Sequence, residues 1–94
     1  MLSFLPPTPS DIQDRLRQRL RSRRKQLRYT QAELATRSGV SLGSLKRFEQ
    51  TGLISLDSFL KLTLVLECLG DFNSLCEDEE ERFGSIGEVA NGTV

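Results

Sequence analysis

The stretch from Thr30 to Gly52, T-Q-A-E-L-A-T-R-S-G-V-S-L-G-S-L-K-R-F-E-Q-T-G, limits what this chain can fold into more than any other part of it. Thr30 and Glu33 form a capping box: the threonine oxygen can accept from the Glu33 N–H, and the glutamate can reach back to Thr30. Leu34 and Ala35 give the first helix an apolar face, and Gly39 can take the left-handed conformation that ends it. Ser41 then serves as a second N-cap, with Leu42, Leu45 and Phe48 following at helical spacing. Two helices of about two turns each on so short a link must cross steeply rather than lie antiparallel.

That crossing leaves the second helix free to enter a DNA major groove, and the charge distribution agrees. The 94-residue chain has 13 Lys/Arg, 13 Asp/Glu and net charge +0. Residues 1–50, however, hold eleven basic against four acidic side chains, a balance of +7, and residues 51–94 hold two against nine, a balance of −7. The paired helices lie in the basic half. A split of sign between halves is the pattern expected of nucleic-acid contact.

Ser10 is the expected N-cap of a first helix, preceded by an arm over 1–9, M-L-S-F-L-P-P-T-P, whose three prolines oppose helix formation. The arm's Leu2, Phe4 and Leu5 are apolar enough to dock on the domain or on a second subunit. Ile12, Leu16, Leu20 and Leu27 then form one stripe, with Arg15, Arg17, Arg19, Arg21, Arg23, Arg24 and Lys25 around it, a face suited to phosphates. The paired helices are expected over 31–38 and 42–50, and Thr51-Gly52 closes the second. Ser55 caps a fourth helix, apolar on most sides and so buried in a bundle or at a subunit contact. Gly70 is expected to end it, and Asp71 to cap a short fifth helix carrying Phe72, Leu75 and Cys76. Glu77–Glu81, E-D-E-E-E, repel one another and begin an acidic tail, flexible from Arg82 on, in which Phe83, Ile86 and Val89 could order against a partner. The expected organisation is an arm over 1–9, a DNA-binding domain over 10–76 and a tail over 77–94.

Other function classes find little purchase. No apolar run approaches the roughly 18 residues of a membrane helix, and the start lacks the features of a secretory signal, so the expected compartment is the cytoplasm. With 2 cysteines, 0 histidines and no Gly-rich phosphate loop or nucleophile motif, neither a metal, a cofactor nor an enzyme is expected. Cys68 and Cys76 read as reduced packing thiols.

The pattern T-Q-x-E-L-A-x-x-x-G-V-S-x-x-x-L-x-x-x-E resembles the Cro/CI-type, or Xre-like, helix-turn-helix of phage repressors and bacterial regulators, over residues from about 19 to 69. The resemblance implies an all-α, five-helix repressor-like bundle. Carried over, base readers would be Ser41, Leu42, Gly43, Ser44, Lys46 and Arg47. Arg47 could bond guanine bidentately, and Leu42 could touch a thymine methyl. Gly43 departs from the Gln often found there, removing an adenine contact, and Ser41 and Ser44 serve equally as caps. Phosphate contacts would come from Arg24, Arg28, Gln31, Arg37, Lys46 and the Thr51-Gly52 backbone. Arg24 and Glu49 match an ion pair that ties the first helix to the third. Arg28 stands where the family often has glycine.

The implied function is a sequence-specific repressor, a homodimer on a palindromic double-stranded operator. The segment L-K-R-F-E-Q-T-G-L-I-S-L, 45–56, resembles HipB-like antitoxins, which repress their own operon and bind a HipA-like kinase toxin. A stand-alone phage-type or chromosomal repressor, and an interaction module that does not bind DNA, are the alternatives.

Overall fold

A computed structural model describes residues 5–82. The expectations for Leu2 and Phe4, and for Phe83, Ile86 and Val89, fall outside the described residues. Within them the chain is all-helical: α1 (Pro9–Gln26), α2 (Gln31–Ser38), α3 (Leu42–Thr51), α4 (Leu56–Val65) and a 3-10 helix (Leu69–Phe72). One further helical turn covers 79–82, where Asp78 and Glu81 cap each other's backbone.

α1 begins two residues before the Ser10 start expected from sequence. Thr8 is its N-cap, with its hydroxyl accepting the Asp11 N–H (3.1 Å) while Asp11 accepts the Thr8 N–H (2.9 Å). Pro9 occupies the first helical position, where a missing N–H costs nothing. Only Pro6 and Pro7 therefore stand outside the helix. α2 carries the Thr30–Glu33 capping box, and Ser41 and Ser55 cap α3 and α4. Gly39 (φ 79°) and Gly52 (φ 80°) take left-handed conformations at the ends of α2 and α3. Gly52 is favoured on a second count, because a Cβ there would make a tight 3.2 Å contact with the Gln13 carbonyl oxygen.

α4 stops at Val65, earlier than the Gly70 terminus expected. The Glu67 N–H bonds to the Leu64 carbonyl (3.2 Å) and the Cys68 N–H to the Thr63 carbonyl (2.9 Å), a Schellman closure with Glu67 left-handed (φ 64°). The same closure ends α1: Arg28 (φ 65°) bonds back to Lys25 (3.0 Å) and Tyr29 to Arg24 (3.1 Å). Asp71 lies inside the 3-10 helix instead of capping a fifth α-helix. The following N–H groups bond three residues back, Asn73 to Gly70 and Leu75 to Phe72, so no second α-turn forms. Phe72 consequently reaches the core, whereas Leu75 is 74% exposed and Cys76 is exposed.

The core consists of Leu20, Leu34, Ala35, Val40, Leu45, Phe48, Phe59, Leu62 and Leu66. Phe59 makes edge-to-face contacts with Phe48 (centroids 5.9 Å apart) and Phe72 (5.3 Å), so the 3-10 helix is joined to α3 through α4. Leu16 and Leu27 pack against this core, but Ile12 stays 39% exposed. α4 is buried on one side alone. Phe59, Leu62 and Thr63 face inward while Leu56 and Leu64 are 72% and 62% exposed.

Candidate nucleic-acid interface

α3 owes its position to its buried residues. Leu45, Phe48 and Glu49 form the inward arc, and α3 packs on both α1 and α2. Helical spacing then puts Leu42, Gly43, Lys46, Arg47 and Gln50 on the opposite, exposed side. Neither Lys46 nor Arg47 has an ion-pair partner among the described residues. Gln50 extends this face, a residue the sequence reading passed over although its spacing of four from Lys46 and three from Arg47 marks it.

Ser41 and Ser44 both act in the cap. The Ser41 hydroxyl accepts the Ser44 N–H (3.1 Å) and donates to the Ser44 hydroxyl (2.9 Å). Leu42 is 37% exposed and rims a shallow groove lined by Ala32, Thr36 and Gly39. A Cβ on Gly43 would meet nothing within 4 Å, so nothing in the fold asks for glycine there. Its bare backbone lets a surface approach α3 closely.

Glu49 orients α3. Its carboxylate accepts from Arg24 Nε (2.7 Å) and Nη2 (2.9 Å), and from the Gln31 side-chain amide (2.9 Å). Arg24 also donates to the Tyr29 carbonyl (2.9 Å). One buried carboxylate thus joins the end of α1, the start of α2 and the last turn of α3. Burial pushes the Glu49 carboxyl upward, but the hydrogen bonds from Arg24 and Gln31 and the charges of Arg24 and Arg21 outweigh it and hold the group below its usual range. With side-chain exposure of 9% and 5%, Arg24 and Glu49 are interior groups, and Arg24 has little surface to offer a phosphate. Gln31 is half-buried with its amide directed at Glu49.

The basic circumference of α1 divides on inspection. Arg17 is drawn in by Asp14 and donates to the Glu49 carbonyl (3.2 Å), and Arg23 donates to the Leu66 carbonyl (2.8 Å) at the end of α4. Both bind orphan carbonyls of neighbouring helices, which sequence spacing alone does not reveal. Arg15, Arg19, Arg21 and Lys25 remain exposed. Exposed Arg37 stacks over the Tyr29 ring at 4.8 Å, and exposed Arg28 sits between α1 and α2. Thr51 is different: its hydroxyl donates to the Arg47 carbonyl (2.7 Å) and accepts the Leu53 N–H (3.1 Å), while the Gly52 N–H bonds to Phe48 (2.7 Å). Those donors are engaged in closing the helix.

Among the described residues no helix is long and apolar enough to cross a membrane. A family model described as helix-turn-helix matches residues 20–69, from the middle of α1 to the 3-10 helix and more than half of the chain. No curated protein and no solved structure matches the chain. In this chain the matched residues include the two capped helices that meet at Gly39. The chain belongs to the Xre/Cro-like helix-turn-helix family and is a DNA-binding transcriptional regulator.

Proposed function

We propose that the protein is a cytoplasmic repressor that binds a palindromic operator as a homodimer, with the exposed side of α3 in the major groove. The observation that carries this reading is the pairing of bare Lys46 and Arg47 outside with locked Glu49 inside on a single helix. Arg47 is the main base reader, while Leu42 and Gly43 allow close approach and Ser41 and Ser44 hold the helix start. Phosphates are met by Arg28, Arg37 and Lys46, with the half-buried Gln31 at the start of α2. One short helix reads few base pairs, so usable affinity calls for two half-sites about one helical turn apart.

Gel-shift titration on the palindromes upstream of the gene tests the reading. With about six phosphates neutralised per dimer, log affinity falls against log salt with a slope near −5. Arg47→Ala should cost about 1–3 kcal/mol on the best operator and relax preference at one position per half-site, leaving the salt slope nearly unchanged. No shift even at low salt would reject DNA binding by this face.

The likeness of 45–56 to HipB-like antitoxins supports a more specific role, as autorepressor and antitoxin of an operon shared with a HipA-like kinase. The acidic segment Glu77–Glu81 supplies a surface for a basic partner. Co-expression with the product of the adjacent reading frame tests this: a stable complex with a kinase supports it, and the lack of a kinase neighbour leaves a stand-alone repressor.

A further inference from the structure

α4 has a second apolar side that its own bundle leaves bare. Leu56, Leu60 and Leu64 recur every four residues, and Leu53 precedes them in line. Leu56 is 72% exposed, Leu64 62% and Leu53 45%, with Leu60 half-buried beside Leu69 and Phe72. Single exposed leucines are ordinary on a surface, but a contiguous leucine row on one helix is an unpaired seam.

The charges beside this row indicate its occupant. Asp57 and Lys61 flank it on one edge, 2.9 Å apart within the helix and both exposed. They are the only charged residues of 53–65, so this face has no net charge, unlike the basic half of the molecule. When two copies of a helix pack antiparallel about a two-fold axis, the same edge of each faces the other. Asp57 of each copy then lies toward Lys61 of its mate, and each row of leucines covers the other. A face carrying one acid and one base on the same edge is self-complementary.

We propose that this leucine row is the surface through which two copies of the chain associate, α4 against α4, with Asp57 and Lys61 exchanging partners across the two-fold axis. The inference supplies the surface for the dimer described above and rests on that reading only for its purpose on DNA. The association itself is measured without DNA.

Sedimentation equilibrium of the full chain should show a concentration-dependent dimer. Leu56→Glu combined with Leu64→Glu should weaken it by about a hundredfold or more. Both leucines are exposed, so the variant's circular dichroism and melting should stay near wild type, and weak binding to a single half-site should persist. The charge pair gives the sharper readout. Asp57→Lys alone puts base opposite base, and Lys61→Asp alone puts acid opposite acid, so each should dimerise poorly. Mixed together, the two chains should form a heterodimer in preference to either homodimer, which an ion pair confined to one helix cannot produce. The proposal is overturned by a wild-type chain that stays monomeric. It is equally overturned by a dimer that the two glutamates leave intact or by the absence of heterodimer preference. Loss of operator binding with the dimer intact would instead strike the DNA reading.

Discussion

Glu49 ties α3 to both α1 and α2. Removing it would leave the Arg24 guanidinium buried without a counter-charge and release the Gln31 amide. Breaking a buried pair from one side costs about 3–5 kcal/mol, a large share of the roughly 5–15 kcal/mol that stabilises a small domain. Glu49→Ala should therefore lower the melting temperature by well over about 10 °C, at about 4–8 °C per kcal/mol. An unchanged melt would show that the pair is not structural. Glu49 also sets how the fold responds to acid. Its folded carboxyl lies below the unfolded value, so its contribution is complete above about pH 4.3 and drains away as pH falls through the folded pKa. Asp11 and Glu33 act in the same direction, each held low first by the N–H of its capping threonine and then by that threonine's hydroxyl. Thermal melts should be level from about pH 7 to 5 and decline below about pH 4. Glu33→Gln preserves the capping box but removes one titrating group, so it should flatten that decline. A steeper one would refute the assignment.

At the scale of elements, the starts of α2, α3 and α4 were legible, whereas the start of α1, at Thr8 and not Ser10, and several ends were not. Thr30, Ser41 and Ser55 announce their helices because a cap needs only residues within three positions. Gly39 and Gly52 likewise declare left-handed ends. At Arg28 and Glu67 the same backbone conformation is held by side chains that do not advertise it, so α4 reads too long. Arg17 and Arg23 were legible as basic residues but not as donors to Glu49 and Leu66, since those carbonyls are 32 and 43 residues away in sequence. Of the interface, the exposed row of α3 could be read from its helical period, whereas the engagement of Thr51 in its own turn could not. Glu67 offers a direct measurement of what an unadvertised ending costs. A non-glycine residue in the left-handed region is disfavoured by about 1–2 kcal/mol, partly balanced by the extra freedom glycine has when unfolded. Its carboxylate has no hydrogen-bond or ion-pair partner among the described residues to lose. Glu67→Gly should raise the melting temperature by a few degrees, and a drop would mean that the side chain contributes stability of its own.

For the molecule as a whole, the neutral total hides opposed halves, +7 over residues 1–50 and −7 over residues 51–94. The basic half carries α3 and the exposed arginines of α1, and the acidic half carries the E-D-E-E-E run at Glu77–Glu81. DNA attracts the first and repels the second, so the acidic run should lower affinity without touching the operator. Such repulsion acts through solvent and reaches only about a Debye length, roughly 30 Å at 0.01 M salt but about 3 Å at 1 M. Replacing the run with Gln and Asn should then tighten DNA binding several-fold at about 0.02 M salt, equally for operator and random sequence, and the advantage should vanish by about 0.5 M. Because the change alters long-range field and not base contacts, the ratio of specific to non-specific affinity should hold steady at every salt concentration. An advantage that persists at high salt would point instead to an acidic segment lying on the basic face and competing with phosphates at contact distance. Binding that weakens on neutralisation would show that the run helps to hold the DNA-binding fold.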